Sequence, residues 1–366
     1  MERDVELGAL RAALERAVAG DGSIVAIRGN AGVGKTSLLR AVTDTARTLG
    51  VRSVSAAGGR LELDYPFGVA RQLLERELMT AAPAARKNLL AGPARLGAQA
   101  LAEHGGAGAI TADPSSGFVH GLYWLVANLA AEGPLLLTVD DAQWCDDPSL
   151  RFLAYLARRL ADLPVLLVVA TRPDGHPGDE QSFATLTRDL PRTVLLPSPL
   201  TGDGVRAMLE SGRSRVTGDV AARLQKETGG NPFLVGELAR SLAGGTEWTA
   251  RSPGPVPVPE TVARAIQHRI GAAGPSAERL AAAVAALGDG CTVAEAAAVA
   301  ELERDDAAAA ATDLAHADVL ALDPAVSFAP PLVRTAVEDG LSGLDRATWH
   351  AQAARVLRDR GADDER

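Results

Sequence analysis

Three short stretches of this 366-residue chain place phosphate-binding, acidic and basic groups at spacings that could serve one reaction. The first, "GNAGVGKT" from Gly29 to Thr36, fits GxxxxGK[ST]. Its glycines let the backbone curl so that successive N–H groups point at phosphate oxygens. Lys35 has the reach and charge to meet the β- and γ-phosphates, and the Thr36 hydroxyl can complete a Mg2+ shell. The expected nucleotide-binding stretch is Gly29, Asn30, Ala31, Gly32, Val33, Gly34, Lys35, Thr36 and Ser37, with the partial positive charge of a helix N-terminus added. The second stretch is the pair Asp140–Asp141 at the end of the apolar run "LLLTV". Asp140 suits a Mg2+ held through water, and Asp141 suits orienting or deprotonating an attacking water. Paired aspartates after a strand can also cap the next turn. The third is Arg172, closing "LLVVATR", where a cation can meet a γ-phosphate or form a surface ion pair.

These groups need strand ends and helix starts to position them. "SIVAIRG" (23–29) is a β-branched run, the glycine-rich turn follows it, and "KTSLLRAVTDTARTLG" reads as a helix. That order, strand, loop, helix, opens an α/β unit. A helix over 5–19 precedes it, and "VRSVSAAG" (51–58) reads as a second strand. Residues 66–131 read as mostly helical, with a Gly/Ala/Pro-rich loop near 104–117. "PLLLTVDDAQW" (134–144) and "LPVLLVVATR" (163–172) are continuous apolar runs, as strands buried on both faces of a parallel sheet require. "RTVLLPSPL" (192–200) supplies a final strand. Short helices follow Leu200, then a Gly/Pro-rich linker over 244–259. Beyond it come helices near 260–271, 276–287, 292–300 and 305–317, two strand-like pieces flanking Pro324, and a helix opened by Pro331.

Composition narrows the function classes. With 47% hydrophobic and 23% charged residues the chain reads as an ordinary soluble globular protein of two or three packed units. No stretch of 18 apolar residues predicts a membrane span. The net charge of −9 and the lack of a Lys/Arg run argue against a nucleic-acid grip within these residues. Cys145 and Cys291, far apart, make no disulfide framework, so a reducing cytoplasm is expected. His104, His120, His176, His268, His316 and His350 show no metal-ligand spacing. Trp144 is expected to be a core or interdomain anchor and Cys145 a small residue in a packed turn.

Taken together, "AGVGKTSLL", "YPFGVARQLL", "LLLTVDDAQWCDDPSLRFLAYLARRL", "VVATRP" and "GGNPFLVGELARSL" resemble the ATPase module of the large ATP-binding LuxR-type regulators, STAND-class signalling ATPases within the AAA+-like group. The resemblance implies an α/β P-loop NTPase with a parallel sheet, followed by an α-helical lid and a winged-helix domain. It places the nucleotide-binding domain at 1–196, the lid at 197–243, the linker at 244–259 and the winged helix at 260–343. Residues 344–366 resemble the first helix of the family's sensor region, so the chain is expected to be either a module excised from a longer regulator or a naturally short member. Gly29–Thr36, Asp140 and Asp141 match the family's phosphate loop and acidic pair. Gln143, Trp144, Asp146 and Ser149 match the segment after that pair. Arg172 matches the sensor arginine, and Pro232 of "GNP" matches the lid proline that packs on adenine, a role compatible with starting a helix.

Two positions depart from the family pattern. Its opening G-R-x-x-E appears here as "ERDVE", which keeps Arg3, an expected adenine-side contact, and Glu6 but puts Glu2 at the glycine. Its F-x-H-P-L-x-R appears as "FAPPLVR", with Pro330 at a histidine that touches the β-phosphate of ADP in related switches. The expected activity is an ATP-binding switch with slow Mg2+-dependent hydrolysis to ADP, in which Lys35, Asp141 and Arg172 are catalytic and Thr36 and Asp140 hold the metal. Self-association on activation, and DNA contact only through a C-terminal domain not present in this chain, follow from the same resemblance. The rivals are a nucleotide-binding scaffold that does not hydrolyse and, lower, a small-molecule kinase.

Overall fold

The computed structural model describes residues 2–61, 63–102, 115–173, 178–211, 218–243, 256–322 and 325–359. The expected loop at 104–117, the linker at 244–259 and the turn at Pro324 fall largely or wholly outside the described residues. The chain divides into two compact units. One holds residues 3–30 and 34–197; the other holds residues from 198 onward together with 31–33 and the N-terminal Glu2.

The first unit is built on five parallel strands: β1 (Ser23–Arg28), β2 (Arg52–Ala57), β3 (Leu135–Asp140), β4 (Val165–Thr171) and β5 (Thr193–Leu195). Their order is β2-β3-β4-β1-β5. The apolar runs read from the sequence are its central strands, and every residue of β4 is buried. Alternation across the pleat splits the core in two. Leu135, Leu137, Val139, Val165, Leu167 and Val169 face one layer, which contains α3 (Gly68–Thr80), α5 (Ala94–Ala102), α6 (Ser115–Ala130) and α7 (Asp147–Ala157). Leu136, Leu166, Val168 and Ala170 face the other, which contains α1 (Asp4–Val18) and α2 (Lys35–Thr48). A short α4 (Pro83–Leu89) joins α3 to α5, and α8 (Glu180–Ala184) precedes β5. Burial on both faces is what demands unbroken Val and Leu rather than alternating polar residues.

The second unit is helical around a single core running from Leu200 to Ala353. Its helices are α9 (Gly202–Ser211), α10 (Gly218–Thr228), α11 (Pro232–Ala243), α12 (Glu260–Ala272), α13 (Pro275–Leu287), α14 (Val293–Ala300) and α15 (Arg304–His316). An antiparallel pair, β6 (Leu320–Ala321) and β7 (Ser327–Phe328), precedes α16 (Pro331–Gly340) and α17 (Gly343–Asp359). The Ala-rich stretch of α15 is packed helix: Ala307, Ala310 and Ala311 are buried. Pro330 caps α16 and Pro331 takes its first position, where no N–H is needed. Thr292 and Glu295 form a reciprocal capping box on α14.

Candidate functional site

The carboxyl ends of β1, β3 and β4 bring the sequence-predicted groups of the first unit together. In register, Arg28 of β1 lies beside Thr171 of β4, and Val139 of β3 beside Val169. The glycine loop therefore leaves β1, the acidic pair leaves β3, and Arg172 leaves the strand between them. Gly34 caps α2 with φ +102°, a conformation that glycine adopts without strain. The first turn of α2 carries no acidic side chain of its own, so the positive end of the helix is left to groups from other elements. Lys35 is buried and its ammonium donates to the carbonyls of Gly29 (2.6 Å) and Asn30 (2.9 Å). Thr36 and Ser37 are exposed at the mouth of the loop.

Asp140 is the junction of two elements. Its Oδ2 accepts from the Thr36 hydroxyl at 2.6 Å, and its Oδ1 accepts from the Asp141 N–H at 2.9 Å. Asp141 stands in the left-handed region (φ +45°), which swings its side chain out of the strand direction. Gln143, buried in a 3-10 turn (Ala142–Trp144), donates from Nε2 to Asp141 Oδ1 at 2.8 Å. The other end of the same amide accepts from the Arg172 N–H at 3.1 Å and lies 3.2 Å from the Thr171 hydroxyl. Arg172 itself is half-buried, and its Nε has no hydrogen-bond partner among the described residues. The surface ion pair that was its alternative reading does not occur among them.

Behind this edge, Asp146 ties two helix starts together. Its carboxylate, 2% exposed, accepts from the N–H groups of Phe67 (2.7 Å), Val69 (3.2 Å) and Ser149 (2.9 Å). The Ser149 hydroxyl accepts in turn from Ala70 N–H at 3.0 Å. Two helix N-termini thus share one acidic plug. Gly58, just past β2, lies so close that a Cβ there would meet Asp141 O at 2.5 Å and Trp144 C at 2.7 Å. Its N–H donates to Asp140 O. Gly58 carries no signal in the sequence, and Gln143 stands there only as a member of the resembling segment, two residues past Asp141. Trp144 is half-buried rather than a core residue, with the Arg60 guanidinium 5.2 Å from its ring. Burial, then the neighbouring Asp146 charge, pushes the Cys145 thiol well above its ordinary range.

Arg3 precedes α1 and pairs with Glu6 at 3.4 Å. Ala31, Gly32 and Val33 group with the second unit, in which Asn231 Nδ2 donates to Ala31 O at 2.8 Å and Ala31 N–H donates to Asp318 at 2.8 Å. Pro232 opens α11, with Asn231 Oδ1 capping it by accepting from Phe233 N–H at 3.0 Å. Glu2, at the position of the family glycine, accepts from the Thr201 N–H at 2.9 Å and from its hydroxyl.

The family model described as the AAA ATPase domain matches residues 1–169. An uncharacterized protein of Rhizobium meliloti (strain 1021) is 27% identical over an alignment of 270 residues that covers 68% of this chain. The match covers 25% of that relative's own length. Among solved structures, the Walker-type ATPase PABY2304 of Pyrococcus abyssi matches with a TM-score of 0.59 and 15% identity, over 92% of this chain and 95% of that one. The Aeropyrum pernix ORC2 protein, solved as ADPNP–ADP complexes, matches with a TM-score of 0.52 and 13% identity, over 98% and 94%. At these identities the likeness is one of fold. Residues 1–169 accordingly match an AAA-type ATPase domain, on a fold shared with P-loop ATPases.

Proposed function

We propose that the chain is an ATP-operated switch that hydrolyses its nucleotide slowly. The observation that carries this reading is the Thr36–Asp140 hydrogen bond beside Asp141 and Arg172, which gathers metal-site, water-site and cationic groups at adjoining strand ends. A hydroxyl and a carboxylate in contact at the start of α2 are the oxygen donors that suit Mg2+. When bound, Mg2+ would neutralise phosphate charge and polarise the terminal phosphoryl group. Gly29–Thr36 would hold the phosphates, with Lys35 exchanging its two carbonyl partners for phosphate oxygens. Asp141 would hold the proton-bearing side of the attacking water. Among the described residues the Nε of Arg172 is a buried atom without a hydrogen-bond partner, which fits a side chain that meets an anion.

The wider role rests on the sequence resemblance. In it the chain is the regulatory ATPase module of a cytoplasmic LuxR-type transcription regulator, with α9–α11 as the lid, α12–α16 as the winged helix and Pro232 against adenine. Activation would involve self-association, and DNA would be met through a C-terminal domain outside this chain. No helix among the described residues is long and apolar enough to cross a membrane. Isothermal titration with Mg·ATP and Mg·ADP tests the core of this proposal. Lys35→Ala should weaken binding about 10- to 100-fold, the scale of one charge-assisted contact; unchanged affinity would refute the site.

A further inference from the structure

We infer that Gln143 is a positioning residue that sets Asp141 and Arg172 as one unit, so that water activation and γ-phosphate recognition share a single clamp. The inference rests on the nucleotide-site reading above and on a feature that reading does not use. One buried amide, 3% exposed, donates to the end of β3 and accepts from the end of β4. Its orientation is fixed by chemistry: turned over, its NH2 would face the Arg172 N–H and its oxygen would face the Asp141 carboxylate. A primary amide offers a donor and an acceptor at opposite edges of one rigid plane, which neither a carboxylate nor an aliphatic chain does.

The consequences run to both neighbours. Holding Asp141 Oδ1 leaves Oδ2, which accepts no hydrogen bond among the described residues, for water. Holding the Arg172 N–H fixes where that arginine leaves β4, and the Thr171 hydroxyl, 3.1 Å from Arg172 O and 3.2 Å from Gln143 Oε1, reinforces the same point. A displacement of either strand end is thereby passed to the other. Asp141 and Arg172 should then respond together to the presence of a γ-phosphate.

The test combines three measurements on the full chain. Amide hydrogen exchange at Arg172 needs no nucleotide and should speed up about 10-fold or more in Gln143→Leu, since its acceptor is gone. Titration with fluorescent ATP and ADP analogues plus Mg2+ should show the preference for ATP falling about 10-fold, with ADP affinity within about twofold. The same substitution should add nothing in an Arg172→Ala background. Single-turnover hydrolysis should slow about 10- to 100-fold. Gln143→Glu should slow it as much at pH 8 and recover as pH falls, when the introduced carboxyl regains a proton to donate to Asp141. Gln143→Glu, nearly isosteric, makes the titration and hydrolysis comparisons if Gln143→Leu fails to fold, while its carboxylate keeps an acceptor for the Arg172 N–H. ATP and ADP affinities falling in parallel with the melting temperature would reduce Gln143 to a packing residue and overturn the inference. An unchanged Arg172 amide would overturn it too. If wild type hydrolyses no faster than Asp141→Asn, the hydrolysis reading fails, while the exchange and titration data still decide the role of Gln143.

Discussion

Replacing Asp146 by alanine removes the acceptor of three backbone N–H groups at once, from Phe67, Val69 and Ser149. None of them has water to turn to, since the carboxylate is 2% exposed and Phe67 and Val69 are buried. A hydrogen bond to a charged acceptor contributes roughly 1.5–3 kcal/mol and a helix cap about 1 kcal/mol, and the three share one side chain. Allowing for relaxation and non-additivity, Asp146→Ala should destabilise the α/β unit by about 3–5 kcal/mol. Asp146→Asn keeps the Oδ1 acceptor but turns an NH2 toward Val69 N–H, and should cost about half as much. Native-state hydrogen exchange over residues 66–74 and 146–153, with urea unfolding, reads both values without assuming that the two units unfold together. A loss under about 1 kcal/mol with protection retained at Phe67 and Ser149 would refute the idea that this carboxylate joins α3 to α7.

Other consequences are reached by simpler means. Gly58→Ala should lower the melting temperature and slow hydrolysis together, because its Cβ would lie 2.5 Å from Asp141 O and 2.9 Å from Cys145 N, both backbone atoms with no side-chain freedom to yield. Burial, then the Glu295 and Asp289 charges, pushes the Cys291 thiol up to about 11 from an ordinary 9.0. Between those values the unfolded chain binds fewer protons than the folded one, so stability is intact below pH 9 and declines as pH rises toward 11. Cys291→Ala should flatten that decline in alkaline urea titrations. Ellman's reagent at pH 8.5 should find both cysteines unreactive until the chain is denatured, as Cys145 and Cys291 are buried.

The sheet was legible because its central strands are buried on both faces and so carry unbroken runs such as "LLLTV" and "VLLVVAT". The phosphate loop was legible because its glycines, lysine and threonine act through local backbone geometry, which fixes their spacing. Strand order was not: nothing in β1 or β4 states that they are neighbours, since parallel pairing depends on how distant helices pack. Gly58, and the bridging role of Gln143, escaped for the same reason. Each acts across a strand–strand gap, on Arg172 29 residues away in one case and on the turn at 141–145 in the other. Asp146 and Ser149 were visible only as members of a resembling segment, because their partners lie 77 to 79 residues upstream in α3 and the turn before it. Pro330 showed its local role plainly, as the cap of α16, because a proline's effect is confined to its own backbone.

A hydrolytic nucleotide site at the ends of β1, β3 and β4 requires Asp141 for turnover rather than for binding. Single-turnover hydrolysis of Mg·ATP by wild type and Asp141→Asn, with nucleotide affinity measured on the same samples, tests it most directly. Hydrolysis in Asp141→Asn should be at least about 100-fold slower, the lower range of general-base contributions, with affinity held within a few-fold. Equal rates in the two proteins, at equal occupancy, would contradict it.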